Sequence, residues 1–278
     1  MRRIWSVSVT LGSALMIAGC SSGPQPPQAG TPAFYWSAAK TTFAAGDFLK
    51  ACDNLSQLAS GSSEFATRSQ PWSMMISAGV VRAYAELADN FDAGARINRA
   101  NPTPFRRQAS TFRSQAGAAA LQYAEMVHKF LDTNKAATFA LDFDYPTGSA
   151  AEPVQLQRVS KGIPLPDADI ESLQKAMVQR GVLLSVAHAV GAADDTAKAL
   201  DIFKKGDGKI ERPVLLVVTA RALCDQADLF SPKKLDRPDR VTMLVKEAEE
   251  ALAGVPETKE TKELTGRIAK LRKASKSS

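Results

Sequence analysis

Few side chains in this sequence carry obvious chemistry. Three cysteines (Cys20, Cys52, Cys224) and two histidines (His128, His188) are spread through 278 residues. Neither histidine has a second His, a Cys or a carboxylate at the spacing of a metal site, and His188, near the apolar end of a helical stretch, reads as a structural histidine. HExxH, GxSxG and CxxC do not occur. A calcium loop registered on Gly208 would place Phe203, Lys205 and Val214 at the first, third and twelfth positions, none of which offers a carboxyl-type ligand. No metal and no cofactor is therefore expected. Asp142 and Asp144 form a carboxylate pair of the sort a glycan hydrolase needs, although alternate residues of an extended segment both face solvent, where solvation explains them equally well. Five arginines (Arg96, Arg99, Arg106, Arg107, Arg113) lie between Ala93 and Ala124 without a single acid. Guanidinium groups recognise phosphates and carboxylates bidentately, so this stretch suits lipid headgroups, cell-wall polymers or an acidic partner; a solvated face is the other reading.

The chemistry of Cys20 depends on its setting. Met1-Arg-Arg-Ile is a short basic region, and Trp5 to Ile17 is an uncharged apolar run too short to span a bilayer, the layout of a secretory signal. Its end, Ile17-Ala18-Gly19-Cys20, resembles the lipobox of bacterial lipoproteins. The resemblance implies cleavage before Cys20 and a diacylglyceryl thioether plus an N-acyl chain, which together anchor durably where one chain is marginal. Ser21 stands where lipoproteins kept in the inner membrane commonly carry Asp, so the family pattern favours the outer membrane, with the body facing the periplasm. Residues 21–32 (SSGPQPPQAGTP) read as a proline-stiffened tether of roughly 35–40 Å. In an oxidising compartment Cys52 and Cys224 can bridge; the alternative is two separate thiols acting as small hydrophobes.

Charge and composition narrow the class. The chain carries 35 Lys+Arg against 29 Asp+Glu, a net +6. Arg2 and Arg3 supply two of these charges and residues 256–278 supply four, so no basic groove pervades the body and nucleic acid is not expected as a partner. Alanine accounts for 45 residues, which points to an all-helical protein because Ala loses no side-chain entropy on ordering.

The elements that must position these residues are helical hairpins. Tyr35, Ala39 and Phe43, the turn at Gly46-Asp47-Phe48, then Ala51 and Leu55, resemble a tetratricopeptide repeat in order and spacing; the terminal proline is missing and Leu58 replaces a small residue. Further apolar stripes predict a helix from Pro71 to about Asp89 with the proline in its first turn, and a long one from about Phe105 to Leu131. Phe139 to Tyr145 alternates with period two, and Gly148, Pro153, Gly162, Pro164 and Pro166 punctuate the next twenty residues or so. Helices are then expected over about 167–189, from Asp194-Asp195, over about 212–230, from Asp236-Arg-Pro238 to Leu252, and over about 257–273.

The expected fold is all-α: antiparallel hairpins stacked as a TPR-like solenoid or a compact multi-helix bundle, with an irregular central connector. Residues 1–19 are the signal, 20–32 the lipidated cysteine and tether, 33–135 the N-terminal hairpins, 136–165 the connector, 166–255 the C-terminal hairpins and 256–278 a basic helix and tail. The expected function is a membrane-anchored periplasmic binding or scaffold component of a cell-envelope assembly, not an enzyme, with the membrane and an envelope protein as partners. Such a binding protein is expected to present a concave face or pocket lined by aromatic and Arg side chains. The architecture is also similar to the TPR-like lipoproteins that accompany solute-binding proteins of certain transporters, which implies a small ligand or a solute-binding protein as its partner. A carboxylate-dependent cell-wall or glycan hydrolase is the third reading.

Overall fold

Ten α-helices form among the described residues of a computed structural model, which covers 27–59, 63–206 and 208–276. The segment expected to be a signal, Cys20 and the first part of the expected tether lie outside the described residues. Helices α1 (Pro32–Ala44) and α2 (Phe48–Ala59) make a short hairpin. Helices α3 (Glu64–Ile97) and α4 (Thr103–Thr133) make a long antiparallel pair. The connector holds strand β1 (Thr138–Ala140) and helix α5 (Val154–Ser160). There follow α6 (Asp167–Ala189), α7 (Thr196–Lys204), strand β2 (Lys209–Glu211), α8 (Arg212–Ala227), a 3-10 turn at Asp228–Phe230, α9 (Pro238–Leu252) and α10 (Lys259–Lys276). The fold is all-α and multi-helical, with one antiparallel ribbon that pairs Phe139 with Ile210.

Local chemistry explains the boundaries. Thr31 caps α1, its hydroxyl accepting from Phe34 N at 3.3 Å, and Pro32 sits where a missing N–H costs nothing. Gly46 turns the chain at φ +78° between α1 and α2. Asp195 caps α7 by accepting from Lys198 N at 2.9 Å.

Helix α3 is the axis of the body: α1, α2, α4, α5, α6, α8 and β1 all pack on it. Its approach to α6 is backbone against backbone. A Cβ at Gly79 would stand 2.5 Å from Val182 Cα, and one at Gly181 would collide with the Gly79 carbonyl. Gly94 admits α5 in the same way, under the Val159 carbonyl.

Large aromatics seal the start of α3. Trp72 stacks on Phe143 of the connector (4.3 Å between centroids, 8° between planes), and Phe43 and Trp36 of α1 meet the same ring edge-on at 5.2 and 5.0 Å. Such pairs contribute about 0.5–1.5 kcal/mol each beyond their buried area, which holds the extended connector against the helices. The alternation expected over 139–145 is realised: Phe139 and Phe143 are buried while Asp142 and Asp144 sit on the other side.

Two expectations are corrected. Pro71 does not open a helix; α3 begins at Glu64 and runs through it. Without an N–H, Pro71 leaves the Thr67 carbonyl with no helical donor, and Asn134, fully buried after α4, supplies one: Nδ2 donates to Thr67 O at 3.2 Å and to Gln70 Oε1 at 2.9 Å. The Asn134 side-chain oxygen accepts from Ala136 N at 3.1 Å, and its carbonyl accepts from Arg212 at 2.7 Å. The connector, in turn, is more regular than expected, because β1 finds β2 and Gly94 accommodates α5. Of the two readings open for Cys52 and Cys224, the structure has the separate free thiols. Cys52 on α2 faces Ser77 of α3 (Sγ to Oγ 3.9 Å), whereas Cys224 is buried on α8, which packs on α9 and α10. Burial pushes each thiol up to about 11, so both stay protonated at neutral pH.

Asn134→Ala is expected to lower the unfolding free energy by about 2–3 kcal/mol, since it strands buried polar groups. In a Pro71→Ala background the restored N–H can serve Thr67, and the cost of Asn134→Ala should fall by about 1 kcal/mol. Urea denaturation of the four proteins measures this coupling; equal costs in both backgrounds would show that Asn134 does not compensate for the proline.

Candidate functional site

Arginine placement divides the molecule. Most described arginines are paired: Arg68 with Asp142, Arg82 with Asp194, Arg180 with Glu86, Arg221 with Glu260, Arg267 with Asp225 and Asp228, Arg272 with Glu249. Arg212 lies over the Phe130 ring at 5.0 Å and donates to Asn134, and its desolvation lowers its pKa. Among the described residues, the remaining arginines without a carboxylate within ion-pair distance are Arg96, Arg99, Arg106, Arg107 and Arg158.

Those five occupy one end of the body. Arg96 ends α3, Arg99 is in the following loop, Arg106 and Arg107 are in the first turns of α4, and Arg158 is on α5 beneath Gly94. Asn98 ties the two chains there by donating to Gly162 O at 3.0 Å. All five are exposed, and so are Lys161, Ile97 and Ile163 beside them. The end is thus a cationic surface studded with aliphatic side chains, tempered by Asp167, which shares a shallow cleft with Arg107. From Arg68 to Arg96 the rise of α3 places it about 40 Å from the aromatic end where α1 begins.

The sequence grouped Arg113 with these residues, and the structure separates it. Arg113 is mostly buried (side chain 16% exposed), bonded to Asp92 and close to Asp89, which also pairs with Lys234 at 2.9 Å. It braces α4 against α3, and Lys234 ties the segment before α9 to the same Asp89. No signal in the sequence could distinguish it, because its acidic partners lie one helix earlier. Asp142, half-buried, receives Nε and a terminal nitrogen of Arg68, while Asp144 is exposed.

A groove of about 500 Å³ opens elsewhere, between α2, α3 and α4. Ser69, Ser73 and Ser77 form its floor at spacings of four on α3, with Cys52 and Ser56 on one wall and Gln122 and Met126 on the other. Small hydroxyl residues leave the space that apolar ones would fill. Ser77 stands between the sulfurs of Cys52 and Met126, 3.9 Å from each, and Lys129 donates to Ala59 O across one end. The expected pocket of aromatic and Arg residues is not what this groove provides: aliphatic side chains such as Leu49 and Val80 line it together with serine hydroxyls, glutamine amides, sulfur and the Asp53 and Glu125 carboxylates, and no arginine is among its lining residues. The serine stripe was readable as 69, 73 and 77 on one face.

Both histidines are engaged. His188 Nε2 is 3.0 Å from Asp194 Oδ1, with Arg221 at 3.4 Å from Nδ1; hydrogen bonding to His188 and the nearby Arg82 hold the Asp194 carboxyl below its ordinary value. His128, on α4, approaches Glu247 of α9 at 3.3 Å. Burial, with the charge of Glu250 beside it, raises the Glu247 pKa against the pull of His128 and Lys246.

Comparison with known proteins finds no family model, no curated protein and no solved structure that matches the chain. Among the described residues no helix is long and apolar enough to cross a membrane.

The two classes of arginine should separate in stability measurements. Arg113→Ala is expected to cost about 1–2 kcal/mol, as it strands Asp92 in a partly buried site. Arg106→Ala should change stability by less than about 0.5 kcal/mol. Chemical denaturation checks the difference, and comparable losses would contradict the division.

Proposed function

We propose that the protein is a lipid-anchored, periplasm-facing component of a bacterial envelope assembly, held at the outer membrane through Cys20, and that it binds a partner instead of transforming a substrate. The observation that carries this reading is the gathering of Arg96, Arg99, Arg106, Arg107 and Arg158 at one end with no carboxylate paired to any of them, while most other arginines are neutralised within the fold. An acidic protein surface complements that end. Cations free of internal partners keep their full field for association, and the aliphatic Ile97 and Ile163 beside them supply area that leaves water on docking. Asp142 supports binding over glycan hydrolysis, because its carboxylate is tied to Arg68. The serine-floored groove supports a second reading, a small ligand of the kind a transport accessory would hold, since its volume falls in the range of small-molecule sites.

In cells, crosslinking the anchored chain should capture an acidic partner, and replacing Arg96, Arg99, Arg106 and Arg107 together with Ala should abolish that crosslink while circular dichroism stays unchanged. Retention of every crosslinked species by the quadruple variant would remove the docking reading. Cys20→Ser should release the protein from the membrane fraction; a variant that still sediments with membranes would remove the anchor.

A further inference from the structure

Far from the basic end, α4 and α9 cross with His128, Glu247 and Glu250 facing one another. One ligand atom from each lies within 4.8 Å of the others. Glu247 and Glu250 are three residues apart on α9 and so share a face, and His128 meets them from α4.

Two details set this cluster apart. Glu247 is a buried carboxylate, its residue only 8% exposed, and its Oε2 has no hydrogen-bond partner. A buried acceptor left unpaired is costly, and more so when charged. The second detail is in the imidazole. His128 Nδ1 lies 3.3 Å from Glu247 Oε1, and Nε2 lies 3.5 Å from Asp132 Oδ2, one turn further along α4. A neutral imidazole has one N–H, yet acceptors face both of its nitrogens. If Asp132 takes the Nε2 proton, the Nδ1 lone pair points at a carboxylate oxygen. A proton or a metal ion between them removes that repulsion.

We propose that His128 Nδ1, Glu247 and Glu250 bind a divalent transition-metal ion, for which Zn²⁺ is the suitable probe, with Asp132 orienting the imidazole through Nε2. The donor set of one imidazole and two carboxylates suits a borderline ion of this kind, and a carboxylate behind the ligating histidine is the usual outer partner in such sites. The ligand atoms need only close from their present separation onto an ion about 2.0–2.2 Å from each. Glu250 gives up an exposed contact with Lys246 (3.3 Å) to do so, an i,i+4 surface pair of little energy. The exposed side of His128 leaves a path for the ion and a position for water. Bound there, the ion staples the long α3–α4 pair to the C-terminal helices.

The full chain titrated with Zn²⁺ against a chromophoric chelator should bind one equivalent at micromolar concentration, with a rise in Tm. Co²⁺ in place of zinc should give visible absorption bands of nitrogen and oxygen ligation. His128→Ala and Glu247→Gln should each weaken binding at least tenfold, and Asp132→Asn by a smaller factor of two to ten. Failure of the unmodified chain to bind zinc below millimolar concentration would mean that a proton, as an imidazolium, fills the place and would overturn the site. Binding that survives both His128→Ala and Glu247→Gln would overturn it too. The Co²⁺ spectrum of the unmodified chain decides the matter even where a variant fails to fold.

Discussion

The Thr67 carbonyl, orphaned by Pro71 near the start of α3, is answered by an amide on a different part of the chain, and much of the architecture depends on that bond. Asn134 can reach it only if α4 runs its full length antiparallel to α3 and stops at residue 133. The register of the two longest helices is therefore fixed by a polar contact as well as by the apolar seam. The same residue receives Arg212, which starts α8, and orders Ala136, two residues before β1. One amide thus joins the central hairpin, the ribbon and the C-terminal helices, and every polar group it buries is matched.

Much of this could be read from the sequence. The turn at Gly46-Asp47, the break at Asn101-Pro102, the helix starts at Pro213 and Pro238 and the two-residue period over 139–145 are local signals, and the chain obeys them. What could not be read depends on partners far away in sequence. Pro71 looks like a helix start because its compensation comes from residue 134. Strand β2 is three residues long and exists only because Phe139 offers an edge to Ile210. At the candidate sites, composition revealed an arginine-rich stretch but not which arginines were free, since Asp92 and Asp89 claim Arg113 across a helix interface. His128 and Glu247 are distant in sequence, so no spacing rule could join them.

Charge is used in two ways in this molecule. Within the body, arginines and carboxylates lock helix to helix: Arg180 to Glu86 between α6 and α3, Arg267 to Asp225 and Asp228 between α10 and the end of α8. Arg180–Glu86 is mostly buried, while the more exposed Arg267 pairs contribute little individually; the value of such pairs lies in favouring one docking of amphipathic helices over its neighbours. At the far end of α3 the same side chain is left unmatched. The contrast is local in origin: the segment from Ala93 to Ala124 contains no acid, so its arginines find partners only where another segment brings them.

The length of α3 has a mechanical consequence. Because packed neighbours surround it, the helix acts as a stiff boom whose aromatic pole lies next to the chain entering from the tether. On the proposed lipid anchor, attachment at one pole leaves the opposite, cationic pole to sweep a shell above the bilayer. Any binding surface displayed within that shell meets it at an effective concentration set by geometry, on the order of millimolar for short leashes. A contact too weak to persist between two freely diffusing molecules is then sufficient, and it can be broken and remade without the protein ever leaving its station.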